Sequence, residues 1–453
     1  MDKRQFLKTS GAFLATTMLP SASHAADTNA DLKPHCTNWA GNLTYHADHL
    51  DSPRTVDELR EIVRRSNKLR ALGSRHCFNA IADSSARQVS LAHFDSIDIN
   101  AAARTVTVGA GVRYGTFAPV LDKAGFAIHN LASLPHITVA GAASTATHGS
   151  GVHNGNLATA VSAIELVTAN GEVVHLSRKD NPSEFPGAVV ALGSLGVVTR
   201  TTLDIVPRFD MTQVVYRNLS MDQLEHNLEA IMSAGYSVSL FTNWQNNRIA
   251  QVWVKDRIAP GVKKANILSD FYGAKPATVN MHPIEGNAAE NCTEQLGVPG
   301  PWYERMPHFR MNFTPSNGAE LQTEYFIPRN RGYEAIRAVQ TLADRIAPLL
   351  LVTELRSIAA DHIWMSMAHD RDSLALHFTW KPMTPEVAVL LPHIEEKLAP
   401  FGARPHWGKI FTVPPARLAA QYPQLEKFRA LVKKYDPQGK FRNEFVEQNL
   451  FNA

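Results

Sequence analysis

The most constraining feature of this sequence is the segment SLPHITVAGAASTATHGSGVHNGN, residues 133–156, which has almost no large side chains after Val139. Glycine, alanine, serine and threonine dominate it. A backbone of that composition can approach a ligand closely and direct its N–H groups at an anion such as a pyrophosphate. A flexible linker is the alternative, but well-patterned strands flank the segment, which favours binding. No G-x-G-x-x-G fingerprint follows a strand and opens a helix here, and no P-loop motif occurs, so neither of those sites is indicated.

A second feature is a histidine in a tight turn directly after a predicted strand. Thr55 and Glu58 form a capping-box pattern that opens an amphipathic helix, and KLRALG after it predicts a strand. Residues 43–73 therefore predict a strand–helix–strand unit, with LTYHA as its first strand. Loops at the carboxyl ends of such strands commonly hold ligands, and this loop, GSRHCFN, contains His76 beside a cysteine.

The rest of the pattern predicts an α+β fold with two domains, because 453 residues exceed what one hydrophobic core usually serves. The run RTVTVGAGVRYGTFAPVLDKAG predicts a strand, a glycine turn and a helix. Residues 163–177 predict a hairpin with a type I′ turn at Asn170 and Gly171, and residues 189–207 predict a glycine turn followed by a strand. Beyond Pro207 helical and strand periods alternate, and the loop 255–291 is expected to be a surface excursion.

The first 26 residues have the pattern of an export signal. MDKRQFLKTS is basic, GAFLATTMLP is apolar, and small residues for cleavage surround Ala25 and Ala26. KRQFLK resembles a twin-arginine signal with Lys3 in place of the first arginine, and the twin-arginine export machinery carries proteins already folded around a cofactor. A general secretory signal is the alternative. The apolar run is too short to span a bilayer stably, so we expect a periplasmic or secreted protein without stable membrane insertion.

Charge and cysteine content argue against several classes of function. The formal net charge is only +3, which gives no indication of a nucleic-acid partner. The three cysteines, Cys36, Cys77 and Cys292, are widely spaced and suggest no disulfide framework. No H-E-x-x-H motif or paired Cys/His spacing accompanies the 19 histidines, so no metal site is predicted.

Two predicted strands carry polar residues at strand spacing. In TELRS, Glu354 and Arg356 are two residues apart, and HFTW places His377 and Thr379 in the same relation. Alternate residues of a strand share one face, so an acid, a cation, an imidazole and a hydroxyl are expected to face one space. Either pair alone is typical of a solvated sheet face. Several convergent polar groups are also what a ligand with several hydroxyl groups requires, so the pattern alone leaves both interpretations open.

These motifs together resemble the flavin-binding fold of the vanillyl-alcohol oxidase family, and within it the alditol oxidases, which include xylitol and sorbitol oxidases. The resemblance extends from Asn38 to the end of the chain. It rests on NWAGN (38–42), NLASLPH (130–136), GSLGVVT (193–199), CTEQLGVPGPW (292–302), TELRSIAAD (353–361), HFTW (377–380), RPHWGK (404–409) and DPQGKFRN (436–443). It implies a FAD-binding domain over residues 27–208, an α+β substrate-binding cap over 209–411, and a C-terminal segment, 412–453, that completes the FAD domain.

The resemblance also implies how FAD is held. In this family the histidine of the turn is joined covalently to the 8α-methyl carbon of FAD, which assigns that bond to His76. Arg75 stands where the family usually has glycine and Cys77 where it has serine, so Arg75 either meets the pyrophosphate charge or crowds the turn. The implied cofactor-binding residues are Gly73, Ser74, Arg75, His76, Cys77, Ser133, Val139, Gly141, Ser144, Thr147, His148, Gly149, Gly196, Val197 and Asn443.

The implied reaction is oxidation of the terminal primary alcohol of an alditol to an aldose, with O2 reduced to H2O2. Arg356 and Lys409 are assigned to the reacting hydroxyl, whose pKa two cations lower; Lys409 as the base is the alternative. Other readings are a sugar-lactone oxidase, a polyol dehydrogenase with a different electron acceptor, and a non-catalytic flavin- or polyol-binding protein. The implied substrate-binding residues are Ser133, Glu354, Arg356, His377, Thr379 and Lys409.

Overall fold

The computed structural model describes residues 32–314 and 318–452. The predicted export signal, residues 1–26, lies outside the described residues. Among the residues that are described, no helix is both long enough and apolar enough to cross a membrane.

The chain folds into short strands and helices of mixed order. The elements up to Pro207 are β1 (His49–Asp51), α1 (Val56–Arg65), β2 (Leu69–Leu72), β3 (Arg87–Ser90), β4 (Ile97–Asn100), β5 (Thr105–Gly109), α2 (Tyr114–Lys123), β6 (Phe126–Ala127), α3 (Val139–Ser144), β7 (Val161–Val167), β8 (Val173–Ser177), α4 (Phe185–Ala188), β9 (Val197–Asp204) and β10 (Val206–Pro207). The following elements are β11 (Asp210–Ser220), α5 (Leu224–Met232), β12 (Ser237–Thr242), β13 (Arg248–Ile258), β14 (Lys275–Pro276), β15 (Gly300–Pro301), β16 (Leu321–Pro328), α6 (Gly332–Gln340), α7 (Ala343–Ile346), β17 (Leu350–Ile358), β18 (Ser373–Trp380), α8 (Thr384–Leu398), β19 (Arg404–Pro405), α9 (Pro415–Ala419), α10 (Leu425–Tyr435) and α11 (Glu444–Val446).

Three principal sheets organise these elements and confirm the α+β class. A small parallel sheet has the order β1–β3–β2, and a five-stranded antiparallel sheet has the order β4–β5–β9–β7–β8. A nine-stranded antiparallel sheet has the order β14–β11–β13–β12–β17–β18–β16–β19, with β15 paired to β11. Helices α5, α6 and α8 bury their apolar residues against this largest sheet.

The strand–helix–strand unit is present but begins later than predicted. LTYHA is not a strand; the first strand starts at His49. β1 and β2 are not neighbours, since both pair in parallel with β3, which lies between them. The helix start is confirmed, because the Thr55 side chain accepts a hydrogen bond from the Glu58 N–H at 3.1 Å. The turn with His76 follows β2, as the sequence predicted.

The predicted hairpin is formed by β7 and β8, but its turn is not type I′. That turn needs a positive φ at both central residues. Gly171 has a φ of +79°, whereas Asn170 is not among the residues with positive φ. The Asn170 side chain instead accepts a hydrogen bond from the Thr168 hydroxyl at 2.6 Å, and the Thr168 N–H donates to the Glu172 carbonyl at 2.9 Å. The side-chain bond thus stabilises a longer connection.

The small-residue segment 133–156 contains the short helix α3, which argues against the alternative of a flexible linker. One expectation about a loop is corrected. The surface excursion predicted from residue 255 begins later, because β13 continues to Ile258 and pairs with β11 along its whole length. Lys255 therefore lies in a buried strand, with only 1% of its surface exposed.

The C-terminal helices return to the first part of the molecule. Leu418, Phe428 and Leu450 share one hydrophobic core with Phe117 and Leu203. Arg70 on β2 ties the same regions together through its guanidinium, which donates to the carbonyls of Phe441 at 2.7 Å and Leu192 at 2.7 Å. These contacts position the turn after β2 on one side of a cavity. Strands β16, β17 and β18 line the opposite side.

Candidate active site

One large cavity brings together most of the site residues that the sequence predicted. The turn after β2 and residues 132–148 line one side, and β16, β17 and β18 line the other. The predicted residues that line it are Gly73, Ser74, Arg75, His76, Cys77, Ser133, Gly141, Ser144, Thr147, His148, Gly196, Glu354, Arg356, His377, Thr379 and Lys409.

Four predicted cofactor residues do not line this cavity. Val139 and Val197 are fully buried and pack behind it in the hydrophobic core. Asn443 caps α11 and donates hydrogen bonds to the carbonyls of Ala80 and Asp83, each at 2.8 Å. Gly149 packs against the backbone carbonyl of residue 131. All four support the cavity wall from outside.

The turn that carries His76 is held by the NWAGN segment. The Trp39 N–H donates to the Arg75 carbonyl at 2.9 Å, and the Trp39 ring stacks on the His76 imidazole with centroids 4.8 Å apart. Asn38 Nδ2 donates to the Cys77 carbonyl at 2.9 Å. Arg75 has a φ of 63°, a left-handed conformation that non-glycine residues rarely adopt. The backbone conformation therefore suits the glycine that the family usually has there, and arginine is tolerated because neighbouring residues fix the turn.

His76 has the properties of a nucleophilic, neutral imidazole. Its Nδ1 atom is buried and has no hydrogen-bond partner among the described residues. Its pKa lies well below the usual value, first because of burial and then because of the nearby His136 and Lys409. A neutral imidazole with a nitrogen that has no hydrogen-bond partner fits covalent attachment to a cofactor. A buried structural histidine normally has both ring nitrogens paired or exposed.

The segment around α3 offers the close backbone approach that the small residues predicted. A Cβ atom added at Gly141 would lie 2.7 Å from the Thr138 hydroxyl, with no other heavy atom within 4 Å, so it would extend into the cavity. The Thr138 hydroxyl itself is buried and without a partner among the described residues. Both observations fit a bulky polar ligand that lies directly on this backbone.

Replacing Gly141 with alanine should reduce FAD loading without unfolding the protein. Alanine favours a helix by about 1 kcal/mol over glycine, and the Thr138 hydroxyl can rotate away. We expect a several-fold lower ratio of flavin to protein, and for the flavin-free variant a melting temperature at or above that of the flavin-free wild type. The matched control is Gly149→Ala, whose Cβ would meet the Leu131 carbonyl oxygen at 2.3 Å and should unfold the protein. Full flavin content in Gly141→Ala would contradict this location for the cofactor.

The substrate end of the cavity is built from three adjacent strands. In the register of the nine-stranded sheet, His377 on β18 lies between Glu354 on β17 and Glu324 on β16. Thr379 follows His377 on the same face, with 3.3 Å between Oγ1 and Nε2. The structure therefore confirms that the TELRS and HFTW pairs face one space. All of these side chains are at least nine-tenths buried, so a solvated sheet face is excluded.

Glu324 is a central residue of this end that the sequence analysis missed. Its carboxylate accepts hydrogen bonds from His148 Nε2 at 3.0 Å and Arg356 Nη2 at 3.1 Å, and it lies 3.3 Å from His377 Nδ1. Burial alone would raise the pKa of Glu324, but His148, His377 and Arg356 outweigh it and hold the pKa well below its usual range. LQTEYFIP has the same alternation of polar residues as TELRS, and that signal was available in the sequence.

Two basic side chains, Arg356 and Lys409, line the cavity between its cofactor end and its substrate end. Arg356 Nη1 donates to the Ser133 hydroxyl at 3.1 Å, and Arg356 Nε lies 3.5 Å from Glu354 Oε1. Lys409 Nζ donates to Gln322 Oε1. Burial lowers the pKa of Lys409, while the negative charge of Glu324 acts in the opposite direction. The arrangement can stabilise negative charge on an oxygen placed between the two cations.

The same carboxylate also belongs to a group with metal-ligand character. One ligand atom from each of His148, Glu324 and His406 lies within 4.8 Å of the others. Glu324 is already bonded to the Arg356 guanidinium, and a metal ion on that carboxylate would lie against a fixed positive charge. The hydrogen bonds within this group account for its geometry.

Comparisons with known proteins show which family this chain resembles. A family model described as FAD binding domain matches residues 47–177, and one described as D-arabinono-1,4-lactone oxidase matches residues 315–449. An alditol oxidase from Streptomyces is 48% identical over 91% of this chain and 98% of its own length. An L-gulono-1,4-lactone dehydrogenase from Mycobacterium tuberculosis is 25% identical over 92% of this chain and 100% of its own. A cholesterol oxidase structure from Brevibacterium sterolicum has a TM-score of 0.74 at 15% identity, covering 92% and 97% of the two chains, which is a likeness of fold.

Two parts of the chain line this cavity: one matches a FAD-binding domain and the other matches a lactone oxidase domain. This arrangement is that of a FAD-dependent oxidoreductase with the vanillyl-alcohol oxidase fold. Within that class, the identity and coverage of the Streptomyces relative show that this chain belongs to the alditol oxidase family. The predicted fold class, FAD cofactor and enzyme class are thereby confirmed.

Proposed function

We propose that the protein oxidises the terminal primary alcohol of an alditol, such as xylitol or sorbitol, to the aldose, with O2 as the electron acceptor and H2O2 as product. The observation that carries this proposal is a pair of cations, buried Arg356 and partly buried Lys409, that line one cavity with His76, whose Nδ1 has no hydrogen-bond partner among the described residues. The alditol oxidase relative at 48% identity supports the same reaction. The lactone-specific relatives are more distant, at 25% identity.

FAD, when bound, accepts a hydride from the alcohol carbon and passes the electrons to O2. The protein's own task is to hold the alcohol oxygen and favour its deprotonation. Arg356 is fixed by Glu324 and Glu354, so its charge is preorganised where negative charge develops. Lys409 acts on the same oxygen, either as a second cation or, because burial lowers its pKa, as the group that accepts the proton.

The remaining hydroxyls of the substrate are assigned to the polar residues around the two cations. Glu354 accepts hydrogen bonds, Ser133 and Thr379 donate and accept, and His377 lies between the two carboxylates. Loss of one such bond leaves a buried polar partner unsatisfied, which costs about 1–3 kcal/mol. The site is therefore suited to distinguish an alditol from an alcohol that lacks the neighbouring hydroxyl groups.

Reduction of the bound flavin without oxygen tests this function. The protein is mixed anaerobically with xylitol or sorbitol, the visible absorption is followed, and air is then admitted. Bleaching followed by rapid recolouring is the expected result. Bleaching that persists in air would indicate a dehydrogenase. Bleaching by a sugar lactone but not by an alditol would indicate a lactone oxidase. No bleaching by any of these compounds would favour a binding protein.

We also propose that the protein is exported to the periplasm or the medium by the twin-arginine route. The KRQFLK pattern supports this route, and so does the need for the domain to fold around its cofactor before export. Full-length protein expressed in a bacterium should be found outside the cytoplasm with a new N-terminus near Ala26. Arg4→Lys should block export, whereas the matched variant Lys3→Arg, which restores the arginine pair, should preserve it. Unchanged export of Arg4→Lys would indicate the general secretory route.

A further inference from the structure

A lysine is buried beneath the substrate end of the cavity, in a position that the reaction described above does not use. Lys255 lies on β13, and 1% of its surface is exposed. Its Nζ atom donates to the carbonyls of Met306 and Pro307, the latter at 3.1 Å, and lies 2.9 Å from His308 Nδ1. An ammonium group has three N–H bonds, and this site supplies three acceptors, so the cation is fully satisfied without a carboxylate in contact.

The contact with Lys255 determines the hydrogen position on His308. Because the ammonium can only donate, Nδ1 of the imidazole must accept and carries no hydrogen. The hydrogen of the neutral ring is then on Nε2, which lies 2.7 Å from Glu354 Oε1. A chain of donors thus runs from Lys255 through His308 to Glu354, the carboxylate assigned to the substrate.

The segment 306–309 that accepts these bonds also supports the other side of the substrate site. The backbone N–H groups of His308 and Phe309 donate to the Ser133 carbonyl at 3.1 and 3.2 Å. Thr293 Oγ1 donates to the Pro307 carbonyl at 2.7 Å, which fixes the segment from behind. Ser133 and Glu354, two of the predicted substrate-binding residues, therefore have a common support.

The charges around Lys255 favour a neutral His308. The groups that face this lysine are His308, Glu354 and Arg356 on β17, and Cys292. Burial lowers the pKa of Lys255 to about 7. The pKa of His308 is lowered to about 4, first by burial and then by the Lys255 charge, with Glu354 opposing. With a neutral imidazole as its donor, Glu354 keeps its charge for Arg356 and for a substrate hydroxyl. A cationic imidazole would compete with both.

We propose that Lys255 and His308 are positioning residues of the substrate site: together with burial, Lys255 keeps His308 neutral with its hydrogen on Nε2, and His308 thereby orients Glu354 to accept a hydrogen bond from the alditol. The assignment of the alditol to Glu354 rests on the proposed function. The protonation state of His308 does not, and it can be measured without substrate.

Nitrogen-15 spectra of the histidine-labelled holoprotein test the first half of this proposal. His308→Gln identifies the His308 signals by their loss. In the wild type we expect a neutral ring with the hydrogen on Nε2 between pH 5 and 6, where Lys255 is an ammonium. In Lys255→Met the pKa of His308 should rise, since the repelling cation is gone while Glu354 and the burial of the ring remain. An unchanged pKa of His308 in Lys255→Met would overturn the proposal.

Steady-state kinetics with xylitol test the second half. Lys255→Met should raise KM by about tenfold with normal flavin content, because one polar contact to the substrate is lost. Gln at position 308 retains an N–H donor for Glu354 but has no ring to protonate, so His308→Gln should stay within a few-fold of the wild type. In that background Lys255→Met should add nothing. A tenfold loss that persists in the double variant would instead assign Lys255 to holding the segment 306–309, contrary to the proposal. A wild type that no alditol reduces would contradict the proposed function, while the spectra would still decide the role of Lys255.

Discussion

His76→Ala should eliminate covalent flavin while the protein still folds. When the wild-type protein is denatured and precipitated, we expect the yellow chromophore to remain with the polypeptide, and in His76→Ala we expect all of it in the supernatant. The physical reason is the state of this imidazole, which lines the cavity, is neutral, and has a buried Nδ1 without a hydrogen-bond partner among the described residues. Removal of the ring deletes a stacking partner of Trp39 but leaves no buried charge behind, so the fold should tolerate it.

A companion variant separates attachment from binding. Trp39→Leu removes the ring that stacks on His76 and retains the imidazole, so attachment should be slower but still go to completion on long incubation with FAD. Measurement of bound flavin against time gives the rate for both proteins. If denatured wild-type protein releases all its flavin, His76 is not a covalent ligand.

The features that the sequence predicted well depend on local patterns. Strand alternation placed Glu354 with Arg356 and His377 with Thr379 on common faces, because the side-chain period of a strand is two whatever surrounds it. The helix that starts at Thr55 was similarly determined by its cap. The α+β class and the cofactor followed from the order of several such motifs.

The features that were missed depend on tertiary pairing. Glu324 becomes part of the site only because β16 lies next to β18 in the sheet, and its own strand sequence does not give that register. Lys255 was assigned to a surface excursion because the segment that starts there is rich in Pro, Gly and Asn. Its burial is made possible by carbonyl groups some fifty residues later in the chain. Val139 and Val197 were expected at the cofactor but pack behind the wall, because hydrophobic residues beside a binding segment normally serve the core.

Arg75, in the turn after β2, was recognised in the sequence as unusual but had two possible interpretations. The sequence left open whether Arg75 contacts the pyrophosphate or crowds the turn. In the structure its backbone is left-handed, with a φ of 63°, and its Nη1 donates to the Thr37 carbonyl at 2.9 Å. That conformation explains why glycine is usual at this position, and the NWAGN segment supplies the bonds that offset the strain.

Lys409→Met should slow flavin reduction by about 10²- to 10³-fold while flavin content and its spectrum stay normal, since loss of one preorganised charge at a developing oxyanion has an effect of that size. Methionine has a similar length and leaves only the Gln322 amide oxygen without its donor. Rapid mixing with xylitol under anaerobic conditions measures the rate of reduction directly. The matched control is Lys440→Met, which removes a different buried lysine, bonded to the carbonyls of Val63 and Ala169, away from the cavity. It should lower stability and leave the reduction rate unchanged.

The pH dependence of the same rate distinguishes the two roles of Lys409. Burial lowers the pKa of Lys409, so the group changes its protonation state closer to neutrality than a solvent-exposed lysine does. If Lys409 accepts the proton, reduction requires the neutral amine and the rate should rise with pH through that pKa. If it acts as a cation beside Arg356, the rate should fall as pH rises through the same point. In either case Lys409→Met should lose that step in the profile, because methionine does not titrate. A wild-type and a variant profile of the same shape would show that the pH dependence belongs to another group and would leave Lys409 without a role in proton transfer.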